Sequence, residues 1–249
     1  TNVGTYNVVI QLSSTKNYKW SDNTTTNKTI TWKINAYNLS NATIASVSAQ
    51  TYTGKAITPT PAVTVPIPSG KTTTLVSGTN YTYGYSANTN VGTATITVTG
   101  KGNYTGTKNI TFTISRAKTA TASAANKTYT GSEQTGVTGS GVTWTGTTKA
   151  TDAGTYTATA TPDGNHAWSD GTTGAKSVSW TMSPKTLTVP ASPAAKTYNG
   201  ASQASGISAP AGSSIVTASS TTSATNVGTY NVVIQLSSTK NYKWSDNTT

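Results

Sequence analysis

The sequence has no cysteine, and it contains one histidine, one arginine, one methionine and one phenylalanine (His166, Arg116, Met182 and Phe112). Without cysteine there is no disulfide framework, no thiolate zinc site and no cysteine nucleophile. A single histidine also excludes a metal centre built from several histidines. No apolar run approaches the roughly 18 residues of a membrane-spanning helix. The sequence therefore predicts no cofactor, no metal and no membrane span.

Charge is scarce as well. Charged residues make up 9% of the 249-residue chain, against roughly 25% in a typical soluble domain. Seventeen basic residues against six acidic ones give a net charge of +11. Nucleic-acid-binding proteins usually show a dense Lys/Arg patch, whereas these lysines are scattered along the chain. We therefore predict no nucleic-acid partner, and diffuse attraction to an anionic cell-wall or host polysaccharide.

The chain repeats itself. Residues 1–25 and 225–249 are identical, which defines a period of 224 residues. Such self-similarity is the signature of repeat architectures. We expect the sequence to be a window on a longer tandem array, opening within one domain and closing before the next copy of that domain is complete.

Three shorter motifs recur within the period. The first is Thr51-Tyr52-Thr53-Gly54, Thr128-Tyr129-Thr130-Gly131 and Thr197-Tyr198-Asn199-Gly200. The second is Val91-Gly92-Thr93, Ala153-Gly154-Thr155-Tyr156 and Val227-Gly228-Thr229-Tyr230, duplicated at Val3-Gly4-Thr5-Tyr6. The third is Asn103-Tyr104, Asn165-His166-Ala167-Trp168 and Asn241-Tyr242-Lys243-Trp244, duplicated at Asn17-Tyr18-Lys19-Trp20. We place the back half of a domain at 1–34, complete domains at 35–115 and 116–184, and at 185–249 a domain lacking its last strand.

Alternation with a period of two predicts β-strands. In 93–99, 109–115, 29–34, 177–183 and 5–12, apolar residues alternate with polar ones, often threonine, of which the chain has 57. Thr, Val, Ile, Tyr and Trp suit a pleated, half-buried surface. We expect an all-β chain of antiparallel sandwiches with about seven strands each. The residues expected in their structural cores are Tyr6, Trp20, Trp32, Tyr52, Tyr104, Phe112, Tyr129, Tyr156, Trp168, Trp180, Tyr198, Tyr230 and Trp244.

These motifs resemble a known class of repeat. The run TYTGKAITPTPAVTV within 51–115 resembles the Ig-like repeats of large bacterial surface proteins, especially of Gram-positive anaerobes. The other domains, with K-T-Y-x-G, GTY and N-x-x-W-S-D-x-T-T, resemble the related MBG-type repeats. The resemblance covers the whole chain. It implies tandem Ig-like domains forming an elongated rod, an extracellular location at the cell surface, a place in an adhesin stalk or surface fibre, and no catalytic residue.

The few acids and the histidine have structural interpretations. Asp22, Asp170 and Asp246 recur in W-S-D-x-T-T, which predicts Asx turns that accept backbone N–H groups two residues on. His166 occupies a position where the duplicates have tyrosine, so an aromatic structural role is favoured over a hydrolase triad. Glu133, with Lys127 nearby in sequence, leaves open an intramolecular crosslink in 116–184, which would lower the mass by about 17 Da through loss of ammonia.

Three hypotheses for function stay open from the sequence. The leading one is a non-catalytic structural repeat whose partners are neighbouring repeats of the same polypeptide or identical chains in a filament. A second is a binding module for host glycan or extracellular-matrix protein, with the Pro61–Asn88 insertion as its best location. In a third, one subunit would donate the strand Thr26–Ile34 to the next, giving a filament assembled by strand exchange.

Overall fold

A computed structural model describes residues 2–66 and 70–249 of the chain. It is all-β, with 44% of the residues in strands and with curled sheets that give a β-sandwich-like fold. The only helices among the described residues are single 3₁₀ turns at Leu39–Asn41 and Thr217–Ser219. Residue 1 of the predicted half-domain and residues 67–69 of the predicted 61–88 insertion lie outside the described part.

The chain divides into two compact units, Thr1–Ala117 and Lys118–Thr249. Residues 116–184 and 185–249, which the repeat pattern separates, lie almost wholly in the second unit. The strands of the first unit are β1 (Gly4–Ile10), β2 (Lys28–Ile34), β3 (Tyr37–Asn38), β4 (Thr43–Ile44), β5 (Gln50–Thr51), β6 (Val63–Pro66), β7 (Thr72–Thr74), β8 (Tyr81–Ser86), β9 (Gly92–Gly100), β10 (Tyr104–Thr105) and β11 (Thr107–Ser115).

The second unit carries fourteen further strands. They are β12 (Thr121–Ala124), β13 (Lys127–Thr128), β14 (Gln134–Thr135), β15 (Val137–Ser140), β16 (Val142–Gly146), β17 (Lys149–Ala150), β18 (Gly154–Pro162), β19 (Lys176–Ser183), β20 (Lys185–Leu187), β21 (Gln203–Ala204), β22 (Ser213–Ile215), β23 (Ser223–Ala224), β24 (Ile234–Leu236) and β25 (Tyr242–Trp244). The five alternating segments of the sequence correspond to β9, β11, β2, β19 and β1.

In the first unit, the core forms between a four-stranded sheet, β5-β11-β9-β8, and a three-stranded sheet, β4-β6-β7. Alternate residues of β9 (Ala94, Ile96 and Val98) are fully buried and meet Val63 and Val65 of β6 in one cluster. Three of the four threonines of β9 lie directly opposite threonines of β11, and Thr97 lies opposite Asn109. Burial of one face therefore fixes the register, since a one-residue slip would move the apolar set to solvent.

The second unit contains a similar four-stranded sheet, accompanied by two-stranded sheets and with a different core. Its main sheet has the order β13-β19-β18-β16. Trp180 and Met182 of β19 are almost fully buried and pack with Val137 and Ala158. A second cluster contains Ala120, Ala160 and Trp168.

The sheets are mixed, which corrects the expectation of purely antiparallel sandwiches. β5 pairs with β11 in parallel, and β13 pairs with β19 in parallel. A tight hairpin enforces antiparallel pairing. In chain order, however, β5 and β11 are the first and last strands of their sheet, and the long segment between them permits parallel pairing. The alternation in the sequence indicates which face of a strand is buried. It does not indicate whether a strand that is distant in sequence pairs in the parallel or the antiparallel direction.

The predicted core residues fall into three groups by exposure. Phe112, Trp168 and Trp180 are buried. The half-buried ones are Tyr6, Trp20, Tyr52, Tyr104, Tyr129, Tyr156 and Trp244. Trp32, Tyr198 and Tyr230 are exposed, at 47%, 60% and 44%, so these three are not core residues in this structure. All three lie in segments 1–34 and 185–249, where the β-structure is incomplete and no facing layer covers them.

Candidate functional site: a repeated domain joint

The second and third repeat motifs meet at a joint between segments that the repeat pattern assigns to consecutive domains. In the first unit, the Asn103 side chain lies against Asn2 and Val3 of the preceding half-domain. Its Oδ1 accepts a hydrogen bond from the Val3 backbone N–H at 2.8 Å, and its Nδ2 donates to Asn2 Oδ1 at 3.1 Å. One amide side chain thus serves as acceptor and donor at once, which only Asn or Gln provides in a fixed planar geometry.

The same arrangement recurs in the second unit between 116–184 and 185–249. Asn241 Oδ1 accepts from the Ala153 N–H at 2.8 Å, and Asn241 Nδ2 donates to Asp152 Oδ1 at 2.9 Å. Lys240 Nζ adds an ion pair at 3.4 Å to the other Asp152 oxygen. Ala153 is 3% exposed and Asn241 8%, so this copy of the joint is better shielded from water.

Backbone pairing holds each joint asparagine in place. The Tyr37 N–H donates to the Asn103 carbonyl at 3.0 Å, and β3 runs parallel to β10. In the second unit the Lys185 N–H donates to the Asn241 carbonyl at 2.9 Å, and β20 runs parallel to β25. In both cases the first strand after the repeat boundary, β3 or β20, therefore anchors the segment whose asparagine side chain reaches back across that boundary.

Electrostatics reinforce the second joint. The hydrogen bond from Asn241, followed by the charge and hydrogen bond of Lys240, lowers the pKa of Asp152. Across the same joint the ring of Tyr129 meets Tyr242 edge-on, with centroids 5.3 Å apart, and burial raises the pKa of Tyr129. Such an edge-to-face pair adds favourable energy beyond the area it covers.

Sequence reasoning found both motifs but gave them no common role. It missed Asn2 and Asp152, which precede the recurring Gly-Thr by two positions, and it treated Asn103 and Asn241 only as repeat markers. The available signal was the recurrence of an amide or acid before Val/Ala-Gly-Thr together with an asparagine before the aromatic of the third motif. Single-strand periodicity cannot pair these segments, because they belong to different domains.

The predicted Asx turns are confirmed. Asp22, Asp170 and Asp246 each accept the backbone N–H of the threonine two residues on, at 3.0, 2.8 and 2.9 Å, and also its hydroxyl, at 2.7 Å each. Hydrogen bonds lower the pKa of all three, led by the one from Lys28 at Asp22 and by those from the threonine hydroxyls at the other two. These carboxylates are committed to turns.

The remaining acids are local as well. His166 Nδ1 lies 2.7 Å from Asp163 Oδ1, three residues away, and the ring packs against Gly141. Partial burial opposes ionisation of Asp163, but hydrogen bonds from His166 and the Asn165 N–H outweigh it and lower the pKa. Glu133 forms an exposed ion pair with Lys149 at 3.5 Å. Within residues 2–66 and 70–249, no group of three His, Cys, Asp or Glu side chains could hold a metal ion.

The tyrosines of the predicted 61–88 insertion point inward. The hydroxyl of Tyr83 donates to the Pro61 carbonyl, and that of Tyr85 donates to the Pro59 carbonyl at 2.9 Å. Burial raises the pKa of both phenols. These rings hold β8 against the loop before β6.

Comparison with known proteins gives no further identification. No family model matches the sequence, and no curated protein matches it. Over the described ranges, no helix combines the length and the apolar character needed to cross a bilayer.

Proposed function

We infer that the protein is a non-catalytic structural segment of a long extracellular surface protein or fibre, in which tandem Ig-like domains form a stalk or filament shaft. The observation that carries this proposal is the domain joint, which is built twice from the same motifs with the same pair of amide hydrogen bonds. A joint that repeats with the sequence is what a shaft of unlimited length requires.

The joint chemistry suits a shaft. Domains in one chain move relative to each other by default unless their interface is specific. Here the amide side chain of each joint asparagine forms two hydrogen bonds to the preceding segment, and rotation between the segments would break them. The backbone pairing within the following segment holds that asparagine in position. Repeat proteins of this kind derive stability from nearest-neighbour interfaces as well as from the individual units.

The composition and the family resemblance also support a place in an extracellular surface protein. Threonine rows keep sheet surfaces hydrated with little charge, and the motifs resemble Ig-like and MBG-type repeats of Gram-positive surface proteins. The acids that could serve chemistry are held in turns, in local pairs or in the joint itself.

Immunogold labelling of intact cells that make this protein tests the proposal. An antibody raised against the folded 249-residue chain should label projections at the cell surface, and proteolytic shaving of those cells should remove the label. Gold particles confined to the interior of sectioned cells, with intact cells unlabelled, would overturn the proposal.

A further inference from the structure

The turn at residues 197–201 carries the only Asn-Gly pair in the sequence, Asn199-Gly200, and both residues are exposed. Asn199 Oδ1 accepts a hydrogen bond from the Ala201 backbone N–H at 3.0 Å, which closes an Asx turn. Gly200 has a φ of +75°, and among the described residues nothing beyond its chain neighbours would lie within 4 Å of a Cβ added to it. The asparagine side chain is therefore folded back beside an uncrowded backbone nitrogen.

The other two copies of the first repeat motif build the same turn with threonine in place of asparagine. Thr53 Oγ1 accepts from the Lys55 N–H at 3.3 Å, and Thr130 Oγ1 accepts from the Ser132 N–H at 3.4 Å. The glycines that follow have φ values of +77° and +89°, close to that of Gly200, and these positions are exposed as well. The asparagine turn thus has the conformation of its two counterparts and differs from them in chemistry.

The chemical difference is a reactive carbonyl carbon in the side chain. The amide of asparagine has an electrophilic Cγ that a backbone nitrogen can attack, whereas a threonine hydroxyl has no such atom. Glycine offers the least hindered backbone nitrogen because it has no Cβ. At Asn199 the Ala201 N–H also donates to Oδ1, the atom on which negative charge develops when Cγ is attacked. The turn therefore holds the electrophile, the nucleophile and a stabilising donor together.

We propose that Asn199-Gly200 is a site of spontaneous modification, at which Asn199 deamidates through a cyclic imide. The Gly200 nitrogen bonds to Asn199 Cγ, the Cγ–Nδ2 bond breaks, and the proton of the Gly200 nitrogen leaves with Nδ2 as ammonia. Water then opens the ring: its hydroxyl adds to one of the two ring carbonyl carbons, and its other hydrogen returns to the Gly200 nitrogen. Water is the only reagent consumed.

Ring opening gives two products at position 199. Cleavage between Cγ and the Gly200 nitrogen leaves an ordinary aspartyl residue. Cleavage between the backbone carbonyl carbon and that nitrogen leaves an isoaspartyl residue, in which the main chain runs through the former side chain and is one methylene longer. Both products carry a new carboxylate, so each lowers the net charge of +11 by one.

The isoaspartyl product changes the geometry of the turn. Gln203 Nε2 donates to the Thr197 carbonyl at 2.9 Å and so bridges the two ends of the turn, as Gln134 does with Thr128 in the preceding copy. A methylene inserted between Thr197 and Gln203 alters the separation of the bridged groups, and we expect this hydrogen bond to be lost. The modification therefore reaches one of three turns that are otherwise built alike.

Incubation of the folded full-length chain at mildly alkaline pH tests the site directly. Mass spectrometry of proteolytic peptides should show a gain of about 1 Da at position 199, and a protein-isoaspartate methyltransferase should label the same peptide. In oxygen-18 water the gain should be larger by about 2 Da, because the entering hydroxyl comes from water. A chain that stays folded and gains no mass at position 199 overturns the proposal.

The matched control is Asn199→Thr, which installs the residue that the other two copies carry. This variant should gain neither the mass nor the label at position 199. Asn23 and Asn247 are controls within the wild-type chain, because both are exposed and each is followed by a β-branched threonine instead of glycine. Modification of these two asparagines to the same extent as Asn199 would overturn the assignment to the Asn-Gly turn.

Comparison with the unfolded chain separates the turn from the dipeptide. In guanidinium chloride the Asn-Gly pair is still present, but the hydrogen bond from Ala201 to Asn199 is lost. The folded chain should be modified at Asn199 at least as fast as the unfolded chain, since only the folded turn supplies the donor to Oδ1. A slower reaction in the folded chain would overturn the role that the proposal gives to the turn.

Discussion

The indole ring of Trp180 packs directly on the backbone of Gly136, where an added Cβ would lie 1.9 Å from a ring carbon. The ring also stacks near Tyr156 with centroids 4.7 Å apart, and its Nε1 donates to the Thr147 carbonyl at 2.8 Å. Gly136, Tyr156 and Thr147 therefore fix the position of the Trp180 ring. A side chain added at Gly136 could be accommodated only by a shift of the ring or of the backbone.

We expect Gly136→Ala to destabilise this domain by about 1–3 kcal/mol, the usual cost of overpacking a core. Gly164→Ala is the control, because nothing lies within 4 Å of its added Cβ, and it should change stability by no more than about 0.5 kcal/mol. Hydrogen exchange of β18 amides measures the local free energy of opening. Equal stability of the two variants would contradict the packing described.

Acid should destabilise the fold through its aspartates. Asp22, Asp152, Asp163, Asp170 and Asp246 all have lowered pKa values. Below the unfolded value of about 3.9 the unfolded chain binds more protons than the folded one. The stabilisation is thus complete above that pH and is lost as the pH falls through the folded values. Urea unfolding midpoints should drop as the pH falls below about 4, and a midpoint that rises on acidification would refute this assignment.

The Asp170→Asn variant isolates one of these turns. Its amide oxygen can still accept the Thr172 N–H but no longer titrates, so the variant should lose part of the pH dependence while keeping most of the stability at about pH 5. A variant with unchanged pH dependence would show that the Asp170 turn makes no contribution.

At the scale of elements, the joint depends on a single amide at each copy. Asn241→Ala removes the acceptor of the buried Ala153 N–H and the donor to Asp152, and an unsatisfied buried group costs about 1–3 kcal/mol. Asn103→Ala should cost less, because Asn103 and Asn2 are exposed. The exchange rate of the Ala153 amide in Asn241→Ala, against exposed Asn109→Ala as control, checks this expectation.

The strands were predictable and several of their contacts were not. Period-two alternation located β9, β11 and β19 to within two residues, because one buried face imposes that period. The same alternation in β2 predicted burial of Trp32, which the structure exposes, since a strand pattern states which face is apolar and cannot supply the layer that covers it. The joint asparagines and the parallel pairing of β5 with β11 depend on neighbours far apart in sequence.

At the scale of the whole molecule, the net charge of +11 predicts weak, salt-sensitive retention on an anionic polysaccharide. With lysines dispersed, no dense site should form, and retention should fall away near about 0.15 M salt, where charges are screened beyond about 8 Å. Chromatography on an acidic polysaccharide resin, with a neutral polysaccharide resin as control, measures this. Retention that survives high salt would instead indicate a specific glycan site.

The two copies of the joint differ in strength, and this difference has a mechanical consequence. One copy rests on exposed amides, while the other is shielded and carries the extra Lys240–Asp152 ion pair. If the proposed shaft places these joints in series, they bear the same tension, and a steady pull should open the exposed joint before the shielded one. In the proposed shaft, joints of unequal strength would open one after another, so a sudden load would extend the chain in successive small steps.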